Sequence, residues 1–201
     1  QADPLAEVDA IIAEHPDFTL AYGFRAGALA TATDKTFEPE LRKSVEGGER
    51  LVAKANDRER GYIAAGRAWL EGDWERAVEL WGGVSIAYPR DLLALQFAQL
   101  GDFYLGCSHM LRDRVARVLP HWHRNVPGYG FIEGMYAFGL EESGDYAQAE
   151  ARGRAAVVLN QQDGWAVHAV AHVLEMQGRA AAGAQFLGSS ADGWAPNSMF
   201  A

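Results

Sequence analysis

The chain has 201 residues, 49% of them hydrophobic and 22% charged, a balance that supports one globular unit and excludes disorder. Its formal charge of -9, with a pI near 5.1, argues against nucleic acid and membranes as partners, since both require clustered Lys and Arg. Basic peptides and cationic small molecules suit it better, and the single Cys107 allows neither an intrachain disulfide nor a thiolate metal cage, so the expected compartment is cytoplasmic.

In chain order, residues 3–15 (DPLAEVDAIIAEH, ahead of Pro16) read as the second helix of a hairpin whose first helix is missing. Further helices are predicted at about 20–33, 38–55, 57–71, 74–87, 91–105, 109–119, 129–143, 146–159, 164–177 and 180–191. The ruler is a set of glycines, Gly72, Gly106, Gly144 and Gly178, spaced 34, 38 and 34 residues apart. In EGDWERAVEL and ESGDYAQAEA the glycine closes one helix in a left-handed conformation and Asp73 or Asp145 caps the next. Trp74 or Tyr146 then packs back on the preceding helix, and Ala77 or Ala149 lets the two backbones approach. Pro89 ends the helix that begins at Trp74, Asn56 and Glu59 form a capping box, and Asp91 and Asp163 are further caps. Insertions fall at Thr33 to Pro39 and within PHWHRNVPGYG, where the period lengthens to 38.

A period near 34 is that of tetratricopeptide repeats. The expected fold is all-α, a right-handed superhelical solenoid of about five antiparallel helix pairs forming a single domain over 1–201. Both ends stop mid-repeat, so the chain reads as a fragment of a longer protein. The segments ALQFAQLGDFYLG, MLRDRVARVLPHW, GFIEGMYAFGLEESGDYAQAE and GWAVHAVAHVLEM resemble the tetratricopeptide repeat protein 38 family. The resemblance runs from about Pro16 onward and is strongest between Leu92 and Met176. Its most distinctive piece is the histidine pair in VHAVAH, and it implies a fold and a groove rather than an activity. It also implies a further His- and Trp-rich helix beyond Ala201.

His168, His172 and Glu175 are four and three residues apart, within a wedge of roughly 60° on one helix. Repeat register aims them into the concave groove, together with Glu141, Phe138, Gln96, Phe103, Tyr62 and Trp69. Gly23, Gly27, Gly66 and Gly134 lie on similar faces, where a missing side chain deepens a channel or permits close approach. The histidines read as polar groove residues satisfied by neighbours, as a seat for an acidic or amidated ligand tail, or as part of a divalent-metal site. A metal needs a third ligand, from Glu175, from Glu141 or Glu142, or from a helix beyond Ala201. A zinc peptidase would also need Glu after the first His, and residues 169 to 171 are Ala, Val and Ala.

His121 and His123 read as a surface loop, or as partners of the other histidines if the insertion folds over the groove; Arg112 and Asp113 read as a local or inter-repeat ion pair, and Cys107 beside His109 has no third group to orient it as a nucleophile. Nucleotide-binding glycine loops and serine-hydrolase elbows are missing from the sequence. The leading expectation is a scaffold without a cofactor that binds a peptide or partner protein in its groove. Trp69 and Phe103 would serve as anchors, and His172, Glu175 and Gln96 would orient the ligand. The alternative is a small-molecule-binding or metal-dependent enzyme built on His168, His172 and Glu175. Oligomeric state is left open.

Overall fold

The computed structural model describes residues 3–194 and shows helices and turns without strands among them. Among the described residues eleven α-helices follow one another: α1 (Pro4–Glu14), α2 (Thr19–Thr31), α3 (Glu38–Glu49), α4 (Asp57–Leu70), α5 (Trp74–Ala87), α6 (Leu92–Tyr104), α7 (Ser108–Val118), α8 (Tyr129–Glu142), α9 (Tyr146–Leu159), α10 (Gly164–Met176) and α11 (Ala180–Trp194). Short 3-10 turns at Lys35–Phe37 and Leu119–His121 mark the two insertions. None of these helices is long and apolar enough to cross a membrane. Two compact units divide at Gly106 and Cys107.

Local chemistry sets the helix ends where the residues foretell them. Gly72, Gly106, Gly144 and Gly178 adopt φ of 84°, 72°, 80° and 69°, the left-handed conformation that glycine reaches without strain. The carboxylates of Asp73, Asp91, Asp145 and Asp163 accept from backbone N–H groups of the helices they open. Asn56 and Glu59 form both halves of the capping box. One boundary differs: α3 stops at Glu49 rather than near 55. Gly47 and Gly48 weaken its last turn, and their open faces admit the Tyr22 ring and Ile63, which a Cβ would meet at 2.5 and 2.0 Å. The chain continues to Ala55 through i to i+3 turns.

The first unit is organised around Trp81, which is fully buried with ring centroids 5.5 Å from Phe97 and 5.8 Å from Trp69. Gly27 makes room for Phe97, whose ring would lie 2.3 Å from a Cβ there. The indole Nε1 of Trp81 is buried with no hydrogen-bond partner, a donor whose desolvation goes unrecovered. Trp81→Phe is therefore expected to change unfolding free energy by less than about 1.5 kcal/mol, lost volume offsetting the removed donor, whereas Trp81→Ala loses about 3–5 kcal/mol. Urea denaturation of both variants checks the contrast.

In the second unit α7, α8, α9 and α10 pack on a core of Leu111, Val115, Ile132, Leu140, Val170 and Val173. The buried Glu133 carboxylate is held by Arg152, at 2.9 Å to each oxygen, and the Arg152 guanidinium lies over the Tyr136 ring at 5.2 Å. That pair fixes the α8–α9 hairpin and leaves one face of α8 to α10.

Candidate functional site

On that face α8 contributes Phe138, Glu141 and Glu142, and α10 contributes Trp165, His168 and His172. Asp163 caps the start of α10, and small residues beside the histidines let the helix lie close against α8: Ala166 and Ala169 are fully buried. Phe138 is buried at 4% exposure and touches Trp165 and His168, with ring centroids 5.6 and 5.9 Å away. Phe138 thus supports the histidines from beneath. His168 and His172, four residues apart, bring their rings to 4.1 Å. Burial and the neighbouring His172 push the His168 pKa down to about 4, so its imidazole is neutral at physiological pH.

His172 Nδ1 stands 3.6 Å from Glu141 Oε2, an oxygen that is buried and has no hydrogen-bond partner. Burial and the adjacent Glu142 raise the Glu141 pKa, with His172 pulling in the other direction. Single ligand atoms of Glu141, Glu142 and His172 all lie within 4.8 Å of one another. The same-face triplet expected from spacing is thus regrouped. Glu175 is exposed and lies outside this cluster, as does His168. Glu175 holds in α10 the register position that Glu141 holds in α8, and it is Glu141 that the neighbouring helix covers. Helical spacing alone brings 168, 172 and 175 to one side, but contact with α8 decides which carboxylates His172 meets.

The residues expected in the groove of the first unit separate likewise. Tyr62 is fully buried, its hydroxyl donating to Asp91 Oδ1 at 2.7 Å, and burial raises its pKa. It is a core residue, not an exposed anchor, because α2 and Phe97 close over it: a Cβ on Gly23 would lie 2.6 Å from Tyr62 Cβ, and Phe97 meets its ring edge-on at 6.2 Å. Trp69 is also largely buried, at 6% exposure, and stacks on Trp74 with centroids 4.6 Å apart and planes 6° from parallel. Gln96 is half-buried on α6. Phe103 is exposed, in edge contact with Tyr104 at 5.8 Å.

Trp69 borders a cleft of about 280 Å³ that spacing did not reveal, lined by Leu29, Leu41, Phe37 and Trp74, with Asp34, Lys35 and Glu38 as its charged residues. Phe37 and Trp74 are each 37% exposed. Thr33, also in the lining, takes φ of 54°, a conformation that a β-branched residue rarely adopts. The signal that pointed here was the insertion from Thr33 to Pro39, which interrupts the repeat and supplies five of the twelve lining residues.

The remaining candidates are plain. His121 and His123 are exposed on either side of a buried Trp122. Arg112 and Asp113 form an ion pair at 2.7 Å, and the guanidinium holds the Asp113 carboxyl below its usual range. Cys107 is exposed at the start of α7. No protein-family model matches the chain, and no solved structure matches it.

Proposed function

We propose that this chain is a tetratricopeptide-type helical repeat protein of the solenoid class that binds a partner protein by taking up a basic peptide segment. The resemblance to the tetratricopeptide repeat protein 38 family belongs to the same reading, and four glycine turns at positive φ support it. The observation that carries the function is the cleft of the first unit. Two stacked tryptophans and Phe37 line it, and enough of Phe37 and Trp74 is exposed to grip an apolar or aromatic side chain. Asp34 and Glu38 outnumber the single basic residue of the lining, Lys35, and in a chain of net charge -9 that balance favours Lys or Arg flanking the anchor.

A displayed library of random peptides, selected on the immobilised protein, tests this. Selected peptides are expected to share one aromatic or large aliphatic residue flanked by Lys or Arg. Trp74→Ala is expected to weaken their binding at least tenfold, the usual cost of losing an anchor of about 1.4 kcal/mol or more. Circular dichroism of the variant checks that the fold is kept. Selection without a consensus, or peptides that bind Trp74→Ala and Phe37→Ala as tightly as the parent, would refute the assignment.

A further inference from the structure

We infer that Glu141, Glu142 and His172 form a divalent-cation site on the α8–α10 face, with zinc as the best-suited first-row ion. Two observations carry it. The first is the donor set: two carboxylates and an imidazole, from two helices, with one ligand atom each inside 4.8 Å. Zinc accepts this mixture of oxygen and nitrogen, with bonds near 2.0–2.2 Å, and three protein ligands leave a position for water or a ligand group. The second is Glu141 itself. Only 6% of it is exposed, and its Oε2 is buried without a hydrogen bond while pointing at His172 Nδ1, 3.6 Å away.

A buried carboxylate oxygen whose nearest donor group, His172 Nδ1, stands beyond hydrogen-bond reach at 3.6 Å is costly. Its neighbour Glu142 adds a second acceptor rather than a donor. A cation bound between the three groups satisfies the orphaned oxygen and relieves the crowding of the two carboxylates together. Ligand atoms as far as 4.8 Å apart must draw in by about 1.4 Å to share one tetrahedral ion, whose ligands stand about 3.4 Å apart. Glu142 and His172 are only half-buried, so their side chains have room to make that adjustment, while Glu141 is the fixed member. The site belongs to the second unit and does not depend on the aromatic cleft of the first.

The test uses tag-free protein dialysed against chelator and then titrated with zinc chloride by calorimetry, with melting temperature followed in parallel. One zinc per chain is expected, with a rise in melting temperature that grows with free zinc and a proton release that varies with buffer. Glu141→Gln and His172→Gln are each expected to weaken binding at least tenfold, and Glu175→Gln to leave it unchanged. Glu142→Gln provides a further measurement should Glu141→Gln fail to fold. No saturable zinc binding refutes the site. Zinc binding that survives both Glu141→Gln and His172→Gln, or that is lost with Glu175→Gln, overturns it equally.

Discussion

Gly139→Ala is expected to be among the most damaging single-methyl changes in the second unit, lowering unfolding free energy by about 3 kcal/mol or displacing α7 from α8. A Cβ at Gly139 would stand 2.5 Å from Arg112 N, Leu111 C and Leu111 O. These are backbone atoms of α7, so no rotamer change relieves the overlap. Gly153 offers a useful contrast, since its nearest obstacle is a Val170 methyl at 2.5 Å, the end of a side chain that can shift. Gly83, on α5 of the other unit, is exposed and has nothing within 4 Å of its added Cβ. Gly83→Ala is therefore expected to gain up to about 1 kcal/mol from helix propensity alone. Urea denaturation of the two variants reads opposite signs. A Gly139→Ala protein as stable as the parent would show that the α7–α8 approach is not a close one.

The second large effect is a dependence on pH that comes from Asp163. Its Oδ1 caps α10 by accepting from Ala166 N at 3.1 Å, while Oδ2 is buried without a hydrogen bond. Burial lifts the carboxyl from 3.8 to about 6, against the pull of the Ala166 and Trp165 backbone N–H groups. Between those values the native chain holds a proton that the unfolded chain has released. Stability attributable to this group is therefore greatest below about pH 4 and falls as pH rises to about 6, by about 3 kcal/mol in all.

Other carboxylates act in the opposite sense. Glu150, held low by Arg179 and Arg154, and Glu49, held low by Arg67, lose stabilisation as pH falls. The comparison that isolates Asp163 is wild type against Asp163→Asn, which keeps a capping oxygen and removes the ionisation. The stability difference between them is expected to shift in favour of the variant as pH rises from 4 to 7, measured by urea midpoints across that range. Parallel profiles would remove the argument.

The repeat itself explains why Asp163 is in this state. With Gly72 and Gly144 as equivalent turns, Asp163 is the counterpart of Asp91, Gly134 of Tyr62, and Gly130 of Arg58. Asp91 is also buried, yet it accepts from Tyr62 Oη at 2.7 Å and from Arg58 Nε at 2.5 Å. In the second unit both donors are replaced by glycine, and Oδ2 instead lies 2.6 Å from where a Gly134 Cβ would be. The cap is retained while its partners are lost.

What the residues disclosed in advance follows from the range of each interaction. Turn glycines, aspartate caps and the capping box act within about four residues, and the helices begin and end where those signals stand. Ala77 and Ala149 are fully buried, as close helix approach requires. Exposure was harder to read. Register gives a direction around a helix, but Tyr62 and Trp69 turn into a core because Gly23 and Phe97 close over the first and Trp74 stacks on the second. The partners of His172 likewise depend on the offset between α8 and α10, a distance in space that no spacing along one helix encodes.

The hydrogen bond from Tyr104 Oη to Thr31 O spans 73 positions of sequence and accompanies the packing of α6 against α2. Most other contacts of that unit join helices that adjoin in the chain. Closing a loop of that length costs about 1.4 kcal/mol more chain entropy than closing a hairpin of ~15 residues. An order of assembly is expected from this: the hairpins of neighbouring helices form first, and the Tyr104 latch closes late, holding α2 and α6 together.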